Sequence, residues 1–234
     1  MKKVLFAAVA VFAFGAANAQ EIKFGAKIGA NLSTSSVSMP SVEGTSFTIP
    51  DNKMLFGLHV GGFAEIGISE KFAFQPELLF SMEGSKFESS SVEDFGGIVY
   101  SETSESTIKL NYINVPLLVK FYATEKFFIN AGPQIGFLMS AKQDSDYTLT
   151  FDGGQTESES TSNVDVKDQY KSINFSAAAG AGYYFTENIF AEVRYNVGVS
   201  NILESQTVDT GFGSFTFEPE AKINNLQITL GYRF

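Results

Sequence analysis

His59 is the only histidine in the chain, and cysteine is absent. A lone imidazole can act as a general base when a hydroxyl and an orienting acid stand within hydrogen-bond reach. The residues around it, Gly57, Leu58, Val60 and Gly61, supply neither. His59 therefore reads as a hydrogen-bonding interior residue, and no catalytic residue is assigned. One histidine without cysteine leaves mainly oxygen ligands for a metal. Clusters such as Asp144, Asp146 and Asp152, or Glu157 and Glu159, lack the spacing of a calcium loop. Neither a specific metal site nor a cofactor is expected.

The other chemically capable side chains are charged, and they share a parity. Lys23, Lys27, Glu65, Glu77, Lys120, Glu192, Arg194 and Arg233 lie in segments where apolar and polar residues alternate, always on the polar side. His59, Gln75 and Gln134 fall on that side too. Alternation with period two marks a strand, in which residues of one parity share a face. The last segment shows it plainly. Leu226, Ile228, Leu230, Tyr232 and Phe234 are apolar, whereas Gln227, Thr229, Gly231 and Arg233 are polar or small. A soluble β-barrel would bury the apolar face and present many charges outside. Here the charged face is rich in glycine, which fits a membrane wall with lipid outside and a polar lumen within.

Eight segments carry this pattern: 22–33, 54–68, 72–83, 107–122, 127–141, 170–185, 189–201 and 222–234. Each exceeds the roughly 9–11 residues that a tilted membrane strand needs. Short turns at 69–71, 123–126 and 186–188 alternate with long polar connections at 34–53, 88–106, 142–169 and 202–221. The long connections hold 18 of the 26 acidic residues. The expected fold is all-β, an eight-stranded antiparallel up-and-down transmembrane β-barrel with both termini periplasmic. The fourth segment slips in phase. Ile108, Leu110 and Tyr112 share one parity, and Ile113, Val115 and Leu117 the other. A β-bulge near Tyr112 is expected to return the apolar face to lipid. The interior of eight strands is only wide enough for side chains. The eight charges are therefore expected to pair as a lumen cluster, since an isolated buried charge is costly.

Residues 1–19 read as a signal peptide, with Lys2 and Lys3 before an apolar run and Ala17-Asn18-Ala19 at the cleavage site. Residues 20–234 then form the barrel domain. The apolar run is shorter than the about 20 residues of a spanning helix. Removing Lys2 and Lys3 changes the formal charge from −10 to −12, which argues against nucleic-acid binding. Without cysteine there is no disulfide scaffold and no lipoprotein anchor.

The closing residues LGYRF place Leu230, Tyr232 and Phe234 on one face. This stretch resembles the carboxy-terminal signal strand of bacterial outer-membrane barrels, which implies recognition by the barrel-assembly machinery. Gly57 to Ser81, Tyr112 to Tyr122 and Phe127 to Lys142 resemble the porin-family outer-membrane β-barrel domain of Bacteroidetes type, a group that includes PorT-like proteins. The resemblance implies residence in the cell outer membrane among outer-membrane lipid and lipopolysaccharide. It carries no catalytic motif. The expected role is structural or surface-interacting, with a plugged polar lumen and acidic extracellular loops whose partner is left open. The alternatives are a small-solute porin or channel, a PorT-like secretion component, and a lipid-modifying barrel enzyme. The last is weighed because some eight-stranded barrels are His-dependent lipid A deacylases or acyltransferases.

Overall fold

Among the described residues eleven strands form: β1 (Ile22–Ser38), β2 (Asp51–Gly67), β3 (Phe72–Phe95), β4 (Ile98–Tyr122), β5 (Phe127–Phe151), β6 (Thr156–Asp165), β7 (Ile173–Tyr184), β8 (Ile189–Gly198), β9 (Gln206–Asp209), β10 (Ser214–Phe217) and β11 (Glu220–Arg233). The computed structural model describes residues 22–38, 51–95, 98–152, 154–209 and 214–234. The expected signal peptide at 1–19 lies outside the described residues. Eight strands close a ring in the order β1-β2-β3-β4-β5-β7-β8-β11, and β11 pairs back onto β1. Every pairing is antiparallel, so the chain forms an eight-stranded up-and-down barrel. β6 adds to the far part of β5, and β9 with β10 makes a separate hairpin.

Alternation decides which face each side chain takes. Ile28, Val60, Leu78, Val119, Ile129, Val193, Ile228 and Leu230 are exposed on the outer wall. Lys27, Glu77, Lys120, Glu192 and Arg194 are buried within. The three short turns lie at one end of the ring, where the Phe234 N–H also bonds the Phe24 carbonyl (2.8 Å). That end is here called the turn end and the other the loop end.

β3, β4 and β5 run 24 or 25 residues each, more than twice what a tilted membrane crossing needs. Much of the stretches expected as polar loops at 88–106 and 142–169 therefore continues as sheet beyond the ring. Alternating polar residues and cross-strand charge pairs support this extension. Lys86 Nζ lies 2.8 Å from Glu105 and 3.2 Å from Glu88, two carboxylates that face each other in register. Lys109 pairs with Asp144, and Lys142 with Asp165 at 3.1 Å. Hydrogen bonds from Lys109 and from the Asn163 N–H hold the Asp144 carboxyl below the usual carboxylate range. These pairs face water, and each contributes little singly.

The bulge expected near Tyr112 is not in β4. That strand stays in one register against β3 from Phe121 to Ile108, with Ser81 opposite Tyr112 and Glu83 opposite Leu110. The irregularity falls in β5, where Tyr112 pairs with Leu138 and Asn111 with Ser140. Met139 is the additional residue and is exposed on the outer wall. Leu110 and Tyr112 consequently remain inside, against Leu138, Ala141, Val166, Ile202, Ala221 and Ile223. Burial on these partners replaces burial in lipid, so no slip of β4 is needed. Two connections fold inward over this layer. Lys171 N bonds Ile202 O (2.8 Å), Glu204 N bonds Gln169 O (2.9 Å) and Ile202 N bonds Ala221 O (2.9 Å).

Because the chain has no cysteine, single-cysteine variants report this phase directly. Lys109→Cys should react quickly with a membrane-impermeant maleimide, and Leu110→Cys at least an order of magnitude more slowly. The reverse order would place the bulge in β4 after all.

Candidate functional site

Three strands deliver the central cluster of the lumen. β1 supplies Lys27, β3 supplies Glu77, and β8 supplies Glu192 and Arg194. Lys27 Nζ lies 2.8 Å from Glu77 Oε1 and 2.9 Å from Glu192 Oε2. Arg194 donates two bonds to Glu77, at 2.8 and 2.7 Å, and its Nε donates to Glu192 Oε1 at 2.9 Å. Two cations and two carboxylates thus close a neutral ring. Gln75 Nε2 adds a bond to Glu77 (2.6 Å), and Asn130 Nδ2 one to Glu192 (2.8 Å). All four charged groups are buried to within a few per cent. Such burial is tolerable where charges are paired and further hydrogen bonds reach them, as those of Gln75 and Asn130 do here. Glycine makes the room. Gly61 and Gly231 stand directly opposite Lys27 on its two neighbouring strands, and Gly182 stands opposite Glu192.

A second group lies toward the turn end. Lys120 donates to Glu65 (2.6 Å), to Gln75 Oε1 (3.1 Å) and to the Tyr184 hydroxyl (3.1 Å). Its ammonium also sits 4.0 Å from the centroid of the Phe128 ring, a favourable cation–π position. Arg233 donates to Glu65 (2.9 Å) and to the Tyr122 hydroxyl (3.2 Å). Phe63, Phe128, Tyr184 and Phe190 pack as an aromatic layer in this half. Lys23, opposite Glu65 in register, sits at the rim. With Glu65 and Arg233 it lines a polar vestibule of about 660 Å³ among the turn residues.

His59 lies in the next layer toward the loop end and is fully buried. Its Nδ1 is 2.8 Å from Asn31 Oδ1, and its Nε2 is 2.9 Å from Thr229 Oγ1. The Asn31 oxygen is an acceptor, because its amide nitrogen donates to Ser81 Oγ and the Met82 carbonyl. Nδ1 therefore carries the proton, and Nε2 accepts from the threonine hydroxyl. Hydroxyl, imidazole and amide stand in the order of a nucleophile, base and orienter. All three are at most 4% exposed, so no substrate can reach the hydroxyl while the lumen is packed. Gly29 permits the contact. A Cβ there would stand 2.5 Å from His59 Cε1 and 2.1 Å from the Ile228 carbonyl oxygen. The imidazole from β2 thereby crosses β1 to reach β11.

Gln134 is buried in the lumen wall, and its side-chain oxygen has no hydrogen-bond partner among the described residues. Glu83 is buried nearer the loop end and accepts from the neutral donors Ser81 Oγ and Asn114 Nδ2, both at 2.8 Å. Leu230, Tyr232 and Phe234 project outward near the turn end, with the Tyr232 and Phe234 rings 5.4 Å apart. Sequence reasoning did not single out Asn31, Thr229, Asn130 or Tyr184. Their inward parity was visible, but register alone brings them to their partners.

A closed antiparallel ring with an apolar outer wall and a packed, charged lumen defines a transmembrane β-barrel of the outer-membrane type. The family described as outer membrane protein beta-barrel domain matches residues 18–204, and the chain belongs to that family. The family places it in the bacterial outer membrane. Comparison with curated proteins finds no match. Among solved structures the chain is similar to Ail, the attachment invasion locus protein of Yersinia pestis, solved with the heparin analogue sucrose octasulfate. Identity is 13%, covering 92% of this chain and 99% of that one, with a TM-score of 0.38. It is also similar to OprG from Pseudomonas aeruginosa, at 10% identity, 92% and 97% coverage and a TM-score of 0.40. The outer membrane protease OmpT from Escherichia coli gives 10% identity, 94% and 99% coverage and a TM-score of 0.38.

Gly29→Ala should force the imidazole off Thr229 and destabilise the barrel by about 1–3 kcal/mol, the usual cost of overpacking. His59→Ala should leave a folded barrel that is weaker by about 1–3 kcal/mol, because Thr229 and Asn31 lose a buried partner. Urea unfolding in lipid vesicles, followed by heat-shifted gel mobility, measures both.

Proposed function

We propose that the protein is a non-enzymatic outer-membrane barrel with a structural or surface-interaction role, closed to solutes along its axis. The observation that carries this reading is the neutral ring of Lys27, Glu77, Arg194 and Glu192 across the lumen. A conducting path would have to pass groups that are bonded to one another and almost wholly buried. The lack of access to Thr229 and His59 supports the non-enzymatic part. In this reading the turn end and both termini are periplasmic, following removal of residues 1–19. The acid-rich extension of β3 to β6 then faces outward among lipopolysaccharide, with its partner open. The outward row of Leu230, Tyr232 and Phe234 would serve recognition by the barrel-assembly machinery.

A gated small-solute channel is the second reading, favoured by the polar vestibule at the turn end, which leads to the Lys120 layer. A PorT-like part in secretion would instead use the outer extension and leave the lumen closed.

Purified barrel in a planar bilayer should be electrically silent, with heat-shifted mobility verifying that it is folded. Steady, reproducible conductance steps would replace the closed-scaffold reading with the channel. Arg194→Ala should destabilise the barrel by about 3–5 kcal/mol, because Glu77 and Glu192 are then left with Lys27 as the one cation between two buried carboxylates. Removing Phe234 should lower the yield of barrel in the outer membrane, and an unchanged yield would remove the assembly role from β11.

A further inference from the structure

The lumen changes character toward the loop end. Val37, Ile108, Leu110, Ile202, Leu203 and Ile223 line a cavity of about 210 Å³. Inward apolar residues run against the usual polar interior of this fold. Protein interiors rarely leave a void of this size unfilled. Water is a poor occupant, because it needs two to four polar partners. The lining is mainly apolar, and of its four hydroxyls, on Ser35, Ser85, Ser106 and Tyr170, two are already engaged. Ser85 Oγ donates to Asn52 Oδ1 (2.5 Å) and accepts from the Ser35 N–H (3.1 Å). Ser106 Oγ accepts from Gln143 Nε2 (3.1 Å). Among the described residues no charged side chain lines the cavity. An apolar cavity of about 150 Å³ is enough to bind benzene.

We propose that this cavity is a binding pocket for a small, neutral, largely apolar molecule the size of a monocyclic aromatic compound. The roof is chain that the ring does not need for closure: the bridge between Tyr170 and Leu203, with the main-chain bonds of Lys171 and Glu204 beside it. Opening these few bonds admits the ligand from the loop end. Below lie the Glu83 layer and the charge cluster, so an apolar ligand stops in the pocket. The volume excludes long acyl chains, and the lining excludes carboxylates and ammonium ions. The pocket does not depend on the lumen being closed, so binding and conductance test separate statements.

The test uses the full barrel in lipid nanodiscs, with methyl-labelled isoleucine and leucine, titrated with toluene. Saturable shifts are expected at Ile202, Ile223 and Leu110, whereas the lipid-facing Ile228 and Leu230 shift only in proportion to added toluene. Ala221→Phe, which fills the pocket, should weaken binding by an order of magnitude or more. Leu203→Phe fills it from the roof and decides the matter if Ala221→Phe does not fold. Benzoate should produce no saturable shift. Proportional shifts alike inside and outside would overturn the proposal, as would saturable binding untouched by filling.

Discussion

The interior of an eight-stranded ring must be filled, and a filling that includes charge must be neutral. Lys27, Glu77, Glu192 and Arg194 meet both demands at once. They come from strands far apart in the sequence and touch only when the ring is closed in one register. A slip of one residue on any of these strands would turn its charge into lipid and an apolar residue into the lumen. The cluster and the outer wall therefore enforce each other. Glycines opposite the longest side chains are part of the same solution, since Lys27 has Gly61 on one side and Gly231 on the other.

The barrel itself was legible because lipid on one face and polar filling on the other stamp the same alternation on each strand. The strand count, the turns and the lumen-facing parity of Lys27 or Glu192 follow from that pattern. What the pattern does not contain is height and register across the ring. That is why Thr229 and Asn31 did not suggest themselves as partners of His59, although both lie on inward parity. The phase slip at Tyr112 misled for a related reason. An apolar residue in an outer-membrane strand reads as lipid-facing, whereas Leu110 is buried against Ile202 and Val166, which come from connections that fold back over the mouth. Composition also disguised the outer extension. Serine, threonine and acidic residues at 88–106 suggest a loop, but pairing between two long neighbours holds them as sheet without any apolar face.

Charge is divided sharply between the two parts. Inside, each of the cluster carboxylates is matched by a cation at hydrogen-bond distance. Outside, acidic residues outnumber lysines, and the few lysines are spread between strands where carboxylates stand opposite one another, as Lys86 does beside Glu88 and Glu105. The outer sheet is therefore sensitive to salt and to cations in a way the lumen is not, because only the exposed pairs are screened.

The reach of His59 across Gly29 has a consequence for how the molecule is made. Thr229 belongs to the last strand and Asn31 to the first, so the imidazole joins both edges of the seam where the sheet meets itself. Until β11 docks, one ring nitrogen has no protein partner. The bond therefore acts as a clasp that engages only on completion, favouring the finished cylinder over an open, curled sheet of the same strands. It links ring closure to stability: the strand that completes the cylinder, β11, is the one that locks β1.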